Sequence, residues 1–375
     1  MAELMKEKKV EYLELIYDLI FVYIIGRNNS LLQHIENGFV PGGVFFAYVL
    51  GTLAVIQIWN YSTFYINVYG RNGTRDHVFL FINMFLLYFM ADSTSVYWQS
   101  SVYKYSAAWL LILVNLGVQH IIELRDHRDS DLERRQLRHK AFILFGEAAL
   151  IGVHMLIYAL TGYTAAYLPI AFGVVAMLLS SGRNALAPVD FAHLSERAML
   201  YVVFTFGEMI ISITPYFEDN ISAVSLYFST MAFLIVAGLF LSYEVLYNKI
   251  VDRELITNGT GYMLLHVFLI FALNNISVAL EFMREEEVAL LPKIMFITGS
   301  FMLYFICLFM MGIYAKKRCA FNAKFYLFIG LVGISFFVFM LIFRTNMYLN
   351  IAVSVIYVMA IFWILYRRGK VHVEG

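Results

Sequence analysis

The residues best suited to chemistry in this chain are acids placed where acids are costly. In the first apolar run, Glu14 and Asp18 stand four apart in the string Glu11-Tyr-Leu-Glu14-Leu-Ile-Tyr17-Asp18-Leu-Ile-Phe-Val. On a helix that spacing puts both carboxylates on one face. Asp18 falls about two turns inside the run, roughly 10 Å deep at 1.5 Å per residue. Two carboxylates this close in a low dielectric suit a shared proton, a bound cation or an arginine partner, and a static ion pair is the plainer reading. A second string, His193-Leu-Ser-Glu196-Arg197, opens another apolar run that continues to Phe206-Gly207-Glu208. Glu208 stands near the middle of that run and is the strongest single candidate for a protonatable group, because ionisable side chains persist in lipid where they face a cavity, a partner or a proton path. Gly207 beside it permits close approach of a neighbouring helix. Arg197 lies at the level of Glu14, so it is expected to pair with Glu14 or with Asp18.

Other polar groups interrupt apolar runs. Phe145-Gly146-Glu147 repeats the local string around Glu208 at a shallower depth. Gln57, Tyr61 and Tyr65 follow one another at intervals of four and share a helix face, where the tyrosine hydroxyls would donate to an acceptor inside a bundle; interhelical packing is the alternative. Tyr243, Glu244 and Tyr247 form a comparable set. His120, His154 and His266 lie in or near apolar runs, but no paired-histidine or Cys-x-x-Cys spacing supports a metal or haem. No phosphate-binding loop, Gly-x-Ser-x-Gly elbow or nucleotide fingerprint is present. No arginine ladder of the voltage-sensing kind occurs either. No cofactor is expected.

The elements that must carry these groups are transmembrane helices. Of 375 residues, 61% are hydrophobic and 14% charged, against about 25% charged in a soluble domain. Mean hydropathy is +0.72. Aromatics reach 17% and gather near the ends of apolar runs, at Tyr97, Trp98, Tyr103, Tyr105, Trp109 and Trp363, as in an interfacial belt. Zero net charge offers no field for nucleic acid, and the two cysteines, Cys307 and Cys319, offer no disulfide framework. The acids of the first run are foreign to a cleavable signal peptide, so that run is expected to remain as an anchor.

Stretches of about 20 mostly apolar residues fall near 12–26, 43–66, 78–98, 103–123, 139–161 and 164–182, then near 197–214, 223–247, 260–281, 294–315, 322–343 and 347–366. The expectation is an all-α polytopic membrane bundle of about twelve spanning helices. With both termini cytoplasmic, 22 of the 27 Lys and Arg residues fall on the cytoplasmic side and five, Arg27, Lys104, Arg284, Lys293 and Arg344, on the other. That asymmetry follows the positive-inside rule and places the protein in the cell membrane. The polar stretch from Arg125 to Lys140 reads as a solvated cytoplasmic hairpin, with binding of lipid headgroups or a partner as the sharper alternative.

The two sets of six runs share a register. A shift of 182 places Glu14 on Glu196, Tyr61 on Tyr243, Tyr65 on Tyr247 and Arg71 on Arg253. Six helices per half make the repeats parallel, 1–190 and 191–375, an arrangement familiar in secondary transporters, whose substrate path lies between the halves.

The two acidic strings also carry a family resemblance. Glu14-Leu-Ile-Tyr-Asp18-Leu-Ile-Phe-Val resembles the opening Glu-Leu-Phe-Phe-Asp-Leu-x-Phe-Val of the bacterial low temperature requirement protein A (LtrA) family. His193-Leu-Ser-Glu196-Arg197 with Phe206-Gly207-Glu208 resembles its second signature, His-Leu-x-Glu-Arg ending in Leu-Gly-Glu. Tyr17 replaces a Phe, Phe206 replaces a Leu, and Met209 stands where the family often has Ser; every charged member is kept. The resemblance covers the length and hydropathy of the whole chain. It implies a multi-pass membrane protein linked to growth at low temperature, without naming a substrate. The residues taken as substrate- or proton-binding are Glu14, Asp18, Tyr61, Tyr65, Glu147, Glu196, Arg197 and Glu208, with Glu14, Asp18, Arg197 and Glu208 as the polar centre. A proton-coupled secondary transporter of a small molecule or ion is the leading expectation. A lipid flippase or scramblase and a membrane-embedded enzyme are the alternatives.

Overall fold

The structure is a computed structural model and describes residues 8–94, 98–127, 130–184, 189–214 and 222–370. Tyr97, Arg128 and both chain ends lie outside the described residues. A helix stands at each of the twelve expected spans: α1 (Tyr12–Asn29), α2 (Gly42–Tyr69), α3 (Thr74–Asp92), α4 (Trp98–Glu123), α5 (Asp131–Thr161), α6 (Tyr167–Asn184), α7 (Phe191–Ile211), α8 (Ala223–Val245), α9 (Thr260–Phe282), α10 (Leu290–Met310), α11 (Ala323–Ile342) and α12 (Met347–Lys370). No strand occurs among the described residues.

Local chemistry sets the boundaries. Asp190 caps α7 by accepting the His193 amide at 3.0 Å, and Asn322 caps α11 through the Phe325 amide at 2.9 Å; each satisfies one of the free donors of a first turn. Ser222 and Ser225 form a reciprocal box at the start of α8. Gly162 ends α5 with φ +72°, the left-handed conformation that glycine adopts without steric penalty. α5 begins eight residues before its apolar run. Its first two turns are the polar segment Asp131–Arg138, capped by Ser130, so part of the expected hairpin is helix. Hydropathy marks lipid contact and is blind to a helix that continues into water.

Eight helices are long and apolar enough to cross a membrane: α2, α4, α5, α8, α9, α10, α11 and α12. α6 contributes a shorter apolar stretch, Tyr167–Leu179. The remaining three, α1, α3 and α7, each carry three Asp, Glu or Arg residues. In α1 and α7 half of these side chains, Glu14, Asp18 and Arg197, are buried, so that part of the charge that lowers the hydropathy of these helices does not face lipid. On α3, Phe81, Phe85 and Phe89 form an exposed stripe at intervals of four, a face with no favourable solvent but lipid.

The chain divides into two compact units. Unit 1 comprises residues 1–34, 40–201 and 256–267. In it α4 packs along α3 and α5, α1 lies against α2 and α3, and α6 covers α2 and α5, around a core that includes Tyr17, Trp59 and Trp109. Unit 2 comprises residues 35–39, 202–255 and 268–375. There α8 pairs with α12, and α11 joins α10 and α12. Phe336 stacks on Tyr357 at 4.1 Å between ring centroids, and the Tyr304 hydroxyl donates to the Leu239 carbonyl at 2.8 Å.

Candidate functional site

Among the described residues, three of the polar groups inside unit 1 are built on carboxylates. The first joins the two acidic strings. Arg197 is fully buried, and its terminal nitrogen donates to Asp18 Oδ1 at 2.5 Å. Its Nε lies 3.3 Å from Glu14 Oε2. One guanidinium thus serves both carboxylates of α1, which the fork of arginine donors permits. The Trp59 indole donates to the same Asp18 oxygen at 2.8 Å, and Tyr201 packs on the Trp59 ring at 4.6 Å. Two carboxylates thus share one guanidinium, and the Lys8 ammonium also acts on Glu14. Asp18 Oδ2, Glu14 Oε2 and two Arg197 nitrogens, Nε and Nη1, have no hydrogen-bond partner.

His193 extends this cluster. Asn67 accepts from the Asp190 amide through Oδ1 at 3.2 Å and donates to the Asp190 carbonyl through Nδ2 at 2.8 Å. That pair of bonds fixes the orientation of the amide. The Asn67 Nδ2 also stands 3.0 Å from His193 Nδ1, so Nδ1 is the acceptor and the ring proton sits on Nε2. Nε2 is 3.5 Å from Glu14 Oε2. The tautomer follows from the hydrogen-bond network.

The second group surrounds Glu147. Its side chain is fully buried. Gln57 Nε2 donates to the Tyr61 hydroxyl at 2.9 Å, and Tyr61 donates to Glu147 Oε2 at 2.7 Å. No cation lies within salt-bridge distance of Glu147 among the described residues, and Oε1 has no hydrogen-bond partner. An ionised carboxylate so placed is far more costly than a neutral acid. Gly173 of α6 lies directly over this triad. A Cβ at that position would run into Gln57 Nε2, the Tyr61 hydroxyl and Glu147 Oε2, so any larger residue there would have to displace the ends of these side chains.

The third group lies where α2 and α4 end and α3 begins. The Glu123 carboxylate is fully buried and is held by Arg71 at 3.1 Å, by Arg75, by His127 Nε2 at 3.2 Å and by the Tyr65 hydroxyl at 3.2 Å. Arg75 also reaches Asp126 at 2.9 Å and holds that carboxyl below its ordinary range.

The predicted residues therefore separate. Glu14, Asp18 and Arg197 meet, as expected, with Arg197 serving both acids. Tyr61 and Glu147 meet in the second group, and Tyr65 belongs to the third. Glu196 is half-buried and has no side-chain hydrogen bond or ion pair among the described residues. Glu208 is half-buried, eleven residues beyond Arg197 on α7, and likewise lacks such a partner among the described residues. At about 1.5 Å per residue it stands roughly 16 Å further along the helix, so it is not part of the Arg197 cluster. Trp59, Asn67, Glu123 and Gly173 were not singled out from sequence, because their partners lie dozens of positions away. No group of three or more His, Cys, Asp or Glu able to hold a metal occurs among the described residues.

Apolar helices with polar groups buried between them define a multi-pass integral membrane protein. The sequence matches the family model of the bacterial low temperature requirement A protein (LtrA) over residues 9–365, and the chain belongs to that family. Comparison with curated proteins and with solved structures returns no match.

Proposed function

We propose that this protein is a proton-coupled secondary transporter of the cell membrane, with Glu147 as its proton site. The carrying observation is a fully buried carboxyl with no counter-charge, hydrogen-bonded by Tyr61 at 2.7 Å under a glycine that only just clears it. A structural acid has no need of such an environment, and a group that gains and loses a proton as access alternates does. Tyr61 also lines a cleft beside this carboxyl, so proton and cargo are positioned to sense each other.

In this reading all twelve helices span. The buried pairing of α1 with α7 and the exposed phenylalanine stripe of α3 support membrane insertion of the three helices whose charge lowers their hydropathy. The distribution of Lys and Arg supports cytoplasmic termini. The shared register of residues 1–190 and 191–375 supports two parallel repeats.

Infrared difference spectroscopy of the purified protein tests the proton site. A protonated-carboxyl stretch that shifts in heavy water is expected in the wild type and is lost in Glu147→Gln. The same variant is expected to fail to restore low-temperature growth to a strain lacking the gene, while Glu147→Asp restores it in part. A wild-type spectrum from which Glu147→Gln removes nothing, or full rescue by that variant, overturns the reading.

A further inference from the structure

Two apolar segments of unit 2 end beside each other. One is α8 with the turn that prolongs it, Ala223–Ile250, and the other is α10 with its last turn, Leu290–Tyr314. The residues that follow them, Val251 and Ala315, form an antiparallel bridge. The Asp252 amide donates to the Tyr314 carbonyl at 2.8 Å, and the Lys316 amide donates to the Ile250 carbonyl at 2.8 Å. Arg368 of α12 donates to the carbonyls of Cys319 and Ala320, which ties the next stretch to the end of a third apolar helix. Hydrogen bonds thus fix both loops at the point where they leave the apolar layer. They frame a groove of ≈ 470 Å³, lined by Val251, Asp252, Arg253, Glu254, Lys316, Lys317 and Arg318. That volume lies within the range of ligand sites, about 300–1,000 Å³.

Four of these seven residues are cations and two are acids, so the groove carries two positive charges in excess. No carboxylate lies within salt-bridge distance of any of the four cations among the described residues. Asp252 is engaged by its own loop, where Oδ1 accepts the Glu254 amide at 3.3 Å. The Arg253 guanidinium lies 5.3 Å from the Tyr247 ring centroid. A ring face attracts a cation but does not neutralise it. The arginines of unit 1 contrast with this, since Arg71 and Arg75 are both engaged by Glu123 and Asp126. The surroundings mark the depth. Ile313, in the last turn before the bridge, is 73% exposed, an apolar side chain whose natural solvent is lipid. Towards the end of α12, Trp363 is exposed and the Lys249 ammonium covers the Tyr366 ring at 4.6 Å. Aromatic and basic side chains mix in this way at a membrane boundary.

We infer that this groove holds the headgroup of one anionic phospholipid, its phosphate on Arg253, Lys317 and Arg318 and its acyl chains in the bilayer beside Ile313. Charge complementarity sets the phosphate. The place of the groove, at the ends of two apolar segments, sets the source, because a phosphate carried on a lipid is held at that depth by its chains. A choline headgroup brings its own ammonium, which the four cations repel. In the proposed orientation the groove faces the cytoplasm, where the leaflet surface is negative. The inference requires a membrane and no transported cargo, so it stands apart from the transporter reading.

Native mass spectrometry of the full chain in a neutral maltoside detergent tests it, with dioleoyl phosphatidylglycerol, dioleoyl phosphatidylcholine and soluble glycerol phosphate as probes. One phosphatidylglycerol per chain is expected to bind at least ~10-fold tighter than phosphatidylcholine, and glycerol phosphate more weakly than either lipid. Arg253, Lys317 and Arg318 are all exposed, so their joint change to Gln is expected to leave the melting temperature unchanged and to bring phosphatidylglycerol down to the phosphatidylcholine level. Joint change to Gln of Arg125, Arg135 and Arg138, three exposed cations of the other basic stretch, removes the same charge and is expected to keep the preference. Equal binding of the two lipids by the unmodified protein overturns the inference without reference to any variant. Glycerol phosphate binding as tightly as phosphatidylglycerol overturns the lipid source. An undiminished preference in the first triple variant, or an equal loss in both, overturns the site. None of these outcomes bears on the infrared assignment of Glu147, and loss of that assignment leaves the lipid result standing.

Discussion

Arg197 reaches Asp18 at 2.5 Å across 179 positions of chain. Both side chains are fully buried, and the same guanidinium approaches Glu14 through Nε. Removing a single member of a buried ion pair strands the other charge and costs about 3–5 kcal/mol. Arg197→Met is therefore expected to lower stability in detergent by about that amount. Adding Asp18→Asn and Glu14→Gln to it is expected to recover most of the loss, since neutral amides need no counter-charge. Thermal melting of the single and triple variants decides the matter. A single variant as stable as the wild type means that the carboxylates are not charged in the folded protein.

Gly173 makes room for the Gln57–Tyr61–Glu147 chain. Gly173→Ala adds one methyl group in a place where three polar atoms already meet. Overpacking of this kind costs about 1–3 kcal/mol, and here the shift falls on the hydrogen bond to Glu147. Gly173→Ala is expected to melt earlier and to displace the infrared carboxyl band that Glu147→Gln abolishes. Gly152, with nothing near its missing side chain, is the control, and Gly152→Ala is expected to change neither.

The sequence made the helices legible and left the contacts hidden. Apolar runs announced a helix at each of the twelve positions, eight of them long and apolar enough to cross a membrane among the described residues. The acids inside α1 and α7 announced that something must neutralise them, and Arg197 was the available cation at the right depth. Glu123 and Lys140 went unrecognised for one reason: in a topology count each is a charge near a membrane boundary, whatever it faces. One is fully buried beneath two arginines and the other lines a cleft. Gly173 carried no signal at all, since its role lies in what α6 covers. Tyr61 and Tyr65 share a face of α2 yet serve different acids, because α5 meets the helix at the first and the end of α4 meets it at the second.

Glu123 ties the α2–α3 turn to the end of α4. Glu123→Gln keeps the shape and removes the charge that Arg71, Arg75 and His127 share. Loss of a buried carboxylate with several partners is expected to cost about 3–5 kcal/mol. Arg71→Gln, whose side chain is more than half exposed, is expected to cost about 1 kcal/mol or less. Melting of the two variants in detergent checks this order, and the reverse order would mean that the Glu123 network does not bear on stability.

Glu147 and Glu208 differ in access. Glu147 is fully buried, whereas Glu208 is half-buried with no partner among the described residues. A lipid-soluble carbodiimide adds to protonated carboxyl groups that it can reach. Treatment of the membrane-embedded protein followed by peptide mass mapping is expected to find the adduct on Glu208 and none on Glu147, Glu14 or Asp18. An adduct on Glu147 would mean that α6 leaves the triad open to lipid.

Orientation gives the last prediction. The proposed orientation has Ser130, at the cap of α5, facing the cytoplasm, and Glu286, in the α9–α10 loop, facing the other side. Cys307 and Cys319 are both buried and so shielded from an impermeant reagent, and a background with each replaced by alanine removes any residual signal. In that background Ser130→Cys and Glu286→Cys place one thiol at each proposed surface. An impermeant maleimide added to intact cells is expected to label position 286 and spare position 130, and permeabilised cells are expected to label both. The positive-inside rule concerns loops shorter than about 60 residues, and every connection in this chain is well below that, so the bias acts on all of them. Two reversed signals would place the Arg71–Glu123 group, and Lys140 with it, on the outer side.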